Sequence, residues 1–377
     1  MSAIEIRPVQ SARARRTFLT FPWRIYGDDP LWVPPLLPEL ARRLDPAQGA
    51  ILRRGEGECF IAWRGGRPVG TICAAEDRPT NEYRGVRECI FGFFEYVDDY
   101  AVAEALVDRA VAWARARGLE ALFGPFNLDY EDRYGVLIEG RDRPPALMCG
   151  HTPAYYQGFM ARYGFGPARG DNLAFAIDWQ PDSPQARRLF RLADRLRRRG
   201  QITVRGADFD DWQGEIDRVH RLLNTALAYL PDHIGWQRDS LAASVAPFRR
   251  IADPELILFA EVEGRVVGWL PGIPNLNEAF IQANGLRYPW DYVRLWWHMR
   301  RPIASLTLKS VLVEPDYWNR GVSVLLFAEM AQRAWARGYR WADLSMTSED
   351  NPHTPLLAEH MGARLYKRYR VYRLGIT

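Results

Sequence analysis

Two stretches of the chain carry the same succession of apolar and polar positions. Phe60 to Ala74 reads as a strand, a tight Gly65-Gly66 turn and a second strand containing Gly66-Arg67-Pro68-Val69-Gly70. Phe259 to Trp269 repeats this pattern with Gly264-Arg265-Val266-Val267-Gly268. Further on, Ala101 to Gly118 places Val102, Leu106, Ala110, Val111 and Trp113 at helical spacing, with a basic last turn before a glycine stop. Ser323 to Gly338 matches it and ends Ala336-Arg337-Gly338. An apolar strand follows each helix, Leu119 to Phe123 in one half and Trp341 to Met346 in the other. Each half closes with a helix, Gly164-Phe165 or Gly362-Ala363, and an aromatic-rich strand.

The order predicted in each half is strand, helix, hairpin, strand, helix, strand, helix, strand. Such an order implies an α/β sandwich whose sheet is mixed, mostly antiparallel and flanked by helices. Two tandem domains are expected, at 1–182 and 201–377, joined by a linker helix at 183–200. The copies differ by a Trp- and Pro-rich insertion between Pro271 and Arg301. In the linker, Leu189, Leu192, Ala193 and Leu196 recur at helical spacing beneath an outer face bearing Arg187, Arg188, Arg191, Arg195, Arg197, Arg198 and Arg199. A solvated helix packing its leucine stripe is the expected role, since charge runs commonly solvate a helix face; a tract for RNA, membrane or an anionic partner is the other reading.

Composition narrows the class. At 377 residues the chain is long for one core and comfortable for two. Its 50 basic and 46 acidic residues nearly balance, so the overall charge offers no argument for nucleic acid. Nearly all the basic residues are arginine; the lysines are Lys309 and Lys367. Cys59, Cys73, Cys89 and Cys149 lack Cys-x-x-Cys spacing and read as small buried residues of a reducing compartment. The histidines are scattered without ligand spacing, so no metal is expected. No apolar run follows Met1 to Pro8 and none approaches a membrane span, so a cytoplasmic protein without stable membrane insertion is expected.

The candidate chemistry sits between Val311 and Thr347. A strand there leads through Glu314-Pro315-Asp316-Tyr317-Trp318-Asn319-Arg320-Gly321-Val322-Ser323 into an amphipathic helix. A helix start offers unpaired backbone N–H groups and a positive dipole end, and glycine lets a diphosphate approach them closely. Arg320 adds a fixed positive charge. The segment resembles the acyl-CoA motif of the GNAT acetyltransferase superfamily, with Gly321 at the first glycine, Ser323 at the second small position and Trp318 where Gln or Arg is usual. Asn351, Leu344 to Asn351 and the opening Phe21-Pro22-Trp23-Arg24-Ile25-Tyr26 extend the resemblance to tandem GNAT-like bacterial proteins.

That resemblance implies a cofactor site of Leu312, Val313, Trp318, Asn319, Arg320, Gly321, Val322, Ser323 and Asn351, taking acetyl-CoA or a longer acyl-CoA as co-substrate. In the first copy, Tyr96-Val97-Asp98-Asp99-Tyr100 stands at the corresponding place. Its carboxylates make a good cap and would repel diphosphate, so that copy is expected to lack the cofactor. The tyrosine that often serves the family as general acid would fall at Ala358. Glu314, Glu349 and Tyr366 are the replacement candidates, with Asp350 and Tyr369 beside them. Each has a plain structural alternative: helix cap, strand residue or surface. Asn127, Asp129 and Tyr130, followed by Glu131 and Asp132, are candidates for an amine pocket between the domains. The implied activity is acyl-CoA-dependent transfer to a small-molecule amine or amino-acid-like acceptor; a non-catalytic acyl-CoA-binding or sensing protein is the alternative.

Overall fold

The computed structural model describes residues 3–130, 134–180, 182–229 and 235–376. Both expected hairpins form, and their turns need positive φ: 55° and 74° at Gly65 and Gly66, 51° and 77° at Glu263 and Gly264. In chain order the strands are β1 (Ile4–Pro8), β2 (Glu56–Arg64), β3 (Arg67–Glu76), β4 (Glu88–Tyr96), β5 (Ala121–Gly124), β6 (Val136–Glu139), β7 (Gly166–Pro167) and β8 (Asn172–Asp178). The second half adds β9 (Thr203–Arg205), β10 (Ile257–Val262), β11 (Arg265–Pro274), β12 (Ser305–Leu308), β13 (Leu312–Val313), β14 (Trp341–Ser348), β15 (Arg364–Arg370) and β16 (Tyr372–Gly375).

These strands build two sheets, ordered β1-β2-β3-β4-β5-β16-β7 and β6-β15-β8-β14-β12-β11-β10-β9, with β13 also on β11. The sheets interlock across residue 182. Strand β16, at the end of the chain, pairs with β5 and β7 of the first sheet, while β6 and β8 lie in the second. The cut at 182 is therefore a division along the sequence that the hydrogen-bond ladders cross in both directions.

Among the described pairings, β4–β5 and β12–β14 are parallel and the rest antiparallel. A crossover helix joins each parallel pair, Tyr100–Arg115 in the first half and Val322–Ala336 in the second. The first helix buries Val102, Leu106, Ala110 and Trp113 against β2 to β5, and the second buries Leu326, Met330 and Ala334 against β10 to β12. Both parallel pairs end early. Pairing stops at Ile90↔Phe123 and at Thr307↔Asp343, and the strands then part.

The linker helix Pro184–Arg199 packs its apolar stripe inward, with Ala193 against Leu325 and Ala328 and Leu196 beside Gly321. Arg197 reaches Glu329 at 2.9 Å and Gln332 at 3.1 Å. The 271–301 insertion begins inside β11 and continues as helices Asn277–Phe280 and Pro289–His298. It fastens the halves together: Asn277 donates to the carbonyls of Pro145 and Ala146, and Trp23 donates to Asn284 at 2.7 Å. Among the described residues no helix is long and apolar enough to cross a membrane, and no cluster of His, Cys, Asp and Glu is arranged to hold a metal ion. The four cysteines are unpaired, three of them buried.

Candidate functional site

Strand β13 ends at Val313, a single 3-10 turn at Pro315–Tyr317 follows, and the chain enters the Val322–Ala336 helix through Gly321 at φ 90°. Only glycine adopts that conformation without strain. A side chain there would also strike Leu196, whose Cδ1 lies 2.5 Å from the position of a Cβ. Among the described residues no side chain caps this helix. Its first-turn amides, Val322, Ser323 and Val324, have no intrahelical acceptor, which leaves an uncapped, electropositive helix start. Arg320 is exposed beside it, over the Tyr317 ring.

The other residues expected at a cofactor are differently disposed. Trp318 donates its indole N–H to the Val313 carbonyl at 2.9 Å and packs on His353 and Tyr229, an aromatic clamp between the loop and the closing helix Thr354–His360. Asn319 is exposed at φ 61°. Leu312 is buried opposite Trp269, its side chain in the core. Asn351 accepts from the amides of His353 and Thr354, which is a helix-start role. Residues 318 to 323 thus form one turn, and the clamp holds it against the Asn351 segment.

The three candidate acid–base residues do not converge. Glu314 is buried between Arg221 and Arg265, with Arg265 at 2.9 Å, and its amide bonds Val267. A carboxylate held by two guanidinium groups is a structural ion pair. Glu349 sits at the exposed end of β14 and accepts from Arg368 at 3.0 Å; neighbouring Asp350 accepts from the Gly170 amide. Tyr366 donates to the buried Asp343 at 2.6 Å. Burial, then the Asp343 charge, pushes the Tyr366 phenol well above its ordinary value, so its proton is committed to that bond. Ala358 is buried.

Of the acceptor candidates, Asn127 faces inward, its side-chain oxygen accepting from the Phe93 amide at 2.7 Å where β4 and β5 part. Asp129 pairs with Arg43 at 3.3 Å, and Tyr130 donates to Asp77 at 3.3 Å. Glu131 and Asp132 lie outside the described residues.

Sequence reasoning passed over several polar groups at the seam. Both lysines are there. Lys309 donates to Ser345 at 3.2 Å across the gap between β12 and β14, and Lys367, fully buried on β15, donates to the carbonyls of Gly140 and Arg143. Burial lowers Lys367 to about 8. Asp343, between them, is pushed up by burial, with Tyr366 and Lys309 opposing. The signal available in the sequence was the scarcity of lysine itself, with Lys309 and Lys367 alone in an arginine-rich chain.

No family model matches the chain. Over nearly its whole length it is similar to the bacterial ceramide synthase of Caulobacter vibrioides, at 29% identity over 385 residues, covering 99% of this chain and 98% of that protein. It is likewise similar to protein YghO of Escherichia coli, at 28% over 369 residues, covering 96% and 93%. Among solved structures it superposes on a tandem GNAT protein from the clavulanic acid biosynthesis pathway, with TM-score 0.56, 13% identity and coverage of 100% and 99%. A GCN5-related N-acetyltransferase from Sphaerobacter thermophilus gives TM-score 0.53, 16% identity and coverage of 99% and 96%. Two sheets with parallel pairs parting beside a crossover helix, one glycine-led helix start left uncapped, and these full-length superpositions agree: the chain has the tandem GNAT fold.

Proposed function

We propose that this protein is an acyl-CoA-dependent N-acyltransferase, and that its acceptor is a long-chain amine. The observation that carries the reading is the uncapped helix start at Gly321–Val324, placed after a strand that has parted from its parallel neighbour. Amides aimed outward from a helix start suit a diphosphate, and the parted strand leaves backbone groups for a pantetheine arm and a thioester carbonyl. The acceptor class comes from the similarity to a protein named ceramide synthase, since a ceramide is the N-acyl derivative of a long-chain amino alcohol. The exposed Arg320 adds charge beside the helix start.

The reaction asks for little covalent assistance. A base takes a proton from the ammonium, the amine attacks the thioester carbon, and the thiolate leaves with a proton. Free thiol released from acetyl-CoA and palmitoyl-CoA, measured across a panel of sphinganine, ethanolamine and amino acids, tests the reading. Turnover with sphinganine above the other acceptors is expected. Tight acyl-CoA binding without turnover on any acceptor would favour a sensing role, to which the buried Ala358 at the usual tyrosine position also points. Absence of acyl-CoA binding would remove both.

A further inference from the structure

A surface helix of a globular domain ordinarily packs an apolar stripe inward and shows polar residues to water. Helix Pro289–His298, in the insertion, does the reverse. Asp291 on its inner face is fully buried, while Trp290, Tyr292, Val293, Trp296 and Trp297 are each more than half exposed. At about 100° per residue, these five and Arg294 fall on one continuous arc of about 200°. Asp291, Leu295 and His298 fill the remainder. Exposed apolar residues scattered singly are ordinary; three tryptophans contiguous on one helix face mark an interaction surface.

The helix is held firmly in this pose. Asp291 accepts from the Tyr288 amide at 3.0 Å and from the Asn284 side chain at 3.4 Å. Asn284 in turn accepts from the Trp23 indole at 2.7 Å. Past the other end, Met299 and Ile303 pack on the buried cluster of Leu147, Ile273 and Leu276. Both ends are anchored in the body of the protein, so the aromatic face is displayed without having to be ordered at the moment of binding.

The exposed charge on this surface has one sign. Arg294, Arg300 and Arg301 are exposed, and the last two lie over the Trp296 and Trp297 rings at 3.6 and 3.7 Å. Arg287 lies over the Tyr288 ring, itself stacked on Trp290 at 4.8 Å. From Arg287 to Arg301 the sole acidic residue is Asp291, buried and 3.7 Å from Arg294. Indole rings favour the boundary between acyl chains and headgroups, and a guanidinium seated over the ring is placed to meet lipid phosphates. A second copy of the chain is a poorer occupant: a two-fold contact through this face would set its arginines against their own counterparts.

We propose that this helix is an interfacial anchor, docking flat on an anionic bilayer with its tryptophans at the acyl boundary and its arginines on the phosphates. The helix has 10 residues. Its length of about 15 Å is half of a hydrocarbon core of about 30 Å, so it lies on the bilayer and does not cross it. The surface owes nothing to the helix start at Gly321 and stands apart from the transferase reading.

Co-sedimentation of the full chain with sucrose-loaded vesicles tests it. Binding to phosphatidylcholine containing phosphatidylglycerol is expected to exceed binding to phosphatidylcholine alone by at least about tenfold, and added salt to narrow that gap. W296S/W297S should weaken sedimentation with either vesicle by about tenfold or more. R300Q/R301Q should reduce the preference for the anionic lipid while leaving the aromatic contribution in place. A wild type that stays in the supernatant with anionic vesicles overturns the proposal, and so does W296S/W297S sedimenting like the wild type. Bromine-labelled acyl chains in the same vesicles should quench part of the wild-type tryptophan emission, a readout that needs no variant. Sedimenting protein with unquenched emission overturns the anchor. A dimer that forms without lipid and is lost in W296S/W297S overturns it in favour of a contact between copies. Failure to release thiol from any acyl-CoA would end the transferase reading and leave this surface standing.

Discussion

The two halves start their crossover helices in opposite ways. In the first, Asp99 accepts from the Ala101 amide at 3.0 Å and pairs with Arg64 at 2.6 Å. The helix start is satisfied from within and faces outward with a carboxylate. In the second, Gly321 replaces the capping side chain and the amides stay open. The parted strands differ too: aromatic residues, Glu95 and His151 surround the gap in the first half, while Lys309 and Ser345 bridge it in the second. One copy carries a glycine-led helix start without a side-chain cap, and the other an aromatic cavity lined by Glu95 and His151.

The largest expected effect probes the seam that joins the copies. Lys367 has a folded-state pKa of about 8, below the ordinary lysine value of 10.5. Between those values the unfolded chain binds more protons, so stability rises with pH across that window and levels off below 8, where the lysine is protonated in both states. The full difference is about 3 kcal/mol. Urea unfolding at pH 7 and pH 9.5 should show this rise in the wild type and not in Lys367→Met. Next, Ser323→Asp gives the second helix the acidic start of the first. The helix itself tolerates or prefers an acid there, but acyl-CoA affinity should fall about a hundredfold, about 2.7 kcal/mol, by calorimetry. Unchanged affinity would erase the contrast between the copies. Gly321→Ala tests the backbone instead: positive φ and the Leu196 contact together should lower stability by about 1–3 kcal/mol in thermal unfolding. Smallest, Asp99→Ala should destabilise the first helix by about 1 kcal/mol and leave acyl-CoA affinity where it was.

The leucine stripe of the linker and the glycine stop of each helix were legible because they depend on neighbours within a turn or two. Asp99 as a cap was equally legible. Glu314 and Glu349 looked available for catalysis because their partners, Arg221, Arg265 and Arg368, arrive from other elements. Glu95 carried a local signal, a charge inside an apolar strand, but its meaning lies in Tyr26, Tyr156 and the nearby His151–Asp29 pair.

By itself, then, the sequence determined the elements, their order, the duplication and the one helix start built around glycine, since helix and strand periodicity, turn glycines and caps act over a few residues. Tertiary structure alone decided that β16 closes the first sheet while β6 and β8 complete the second, and that a glutamate at 95 and a histidine at 151, the latter paired with Asp29, line one cavity. Strand pairing and burial depend on which distant segments exclude water together, and no local pattern encodes that choice.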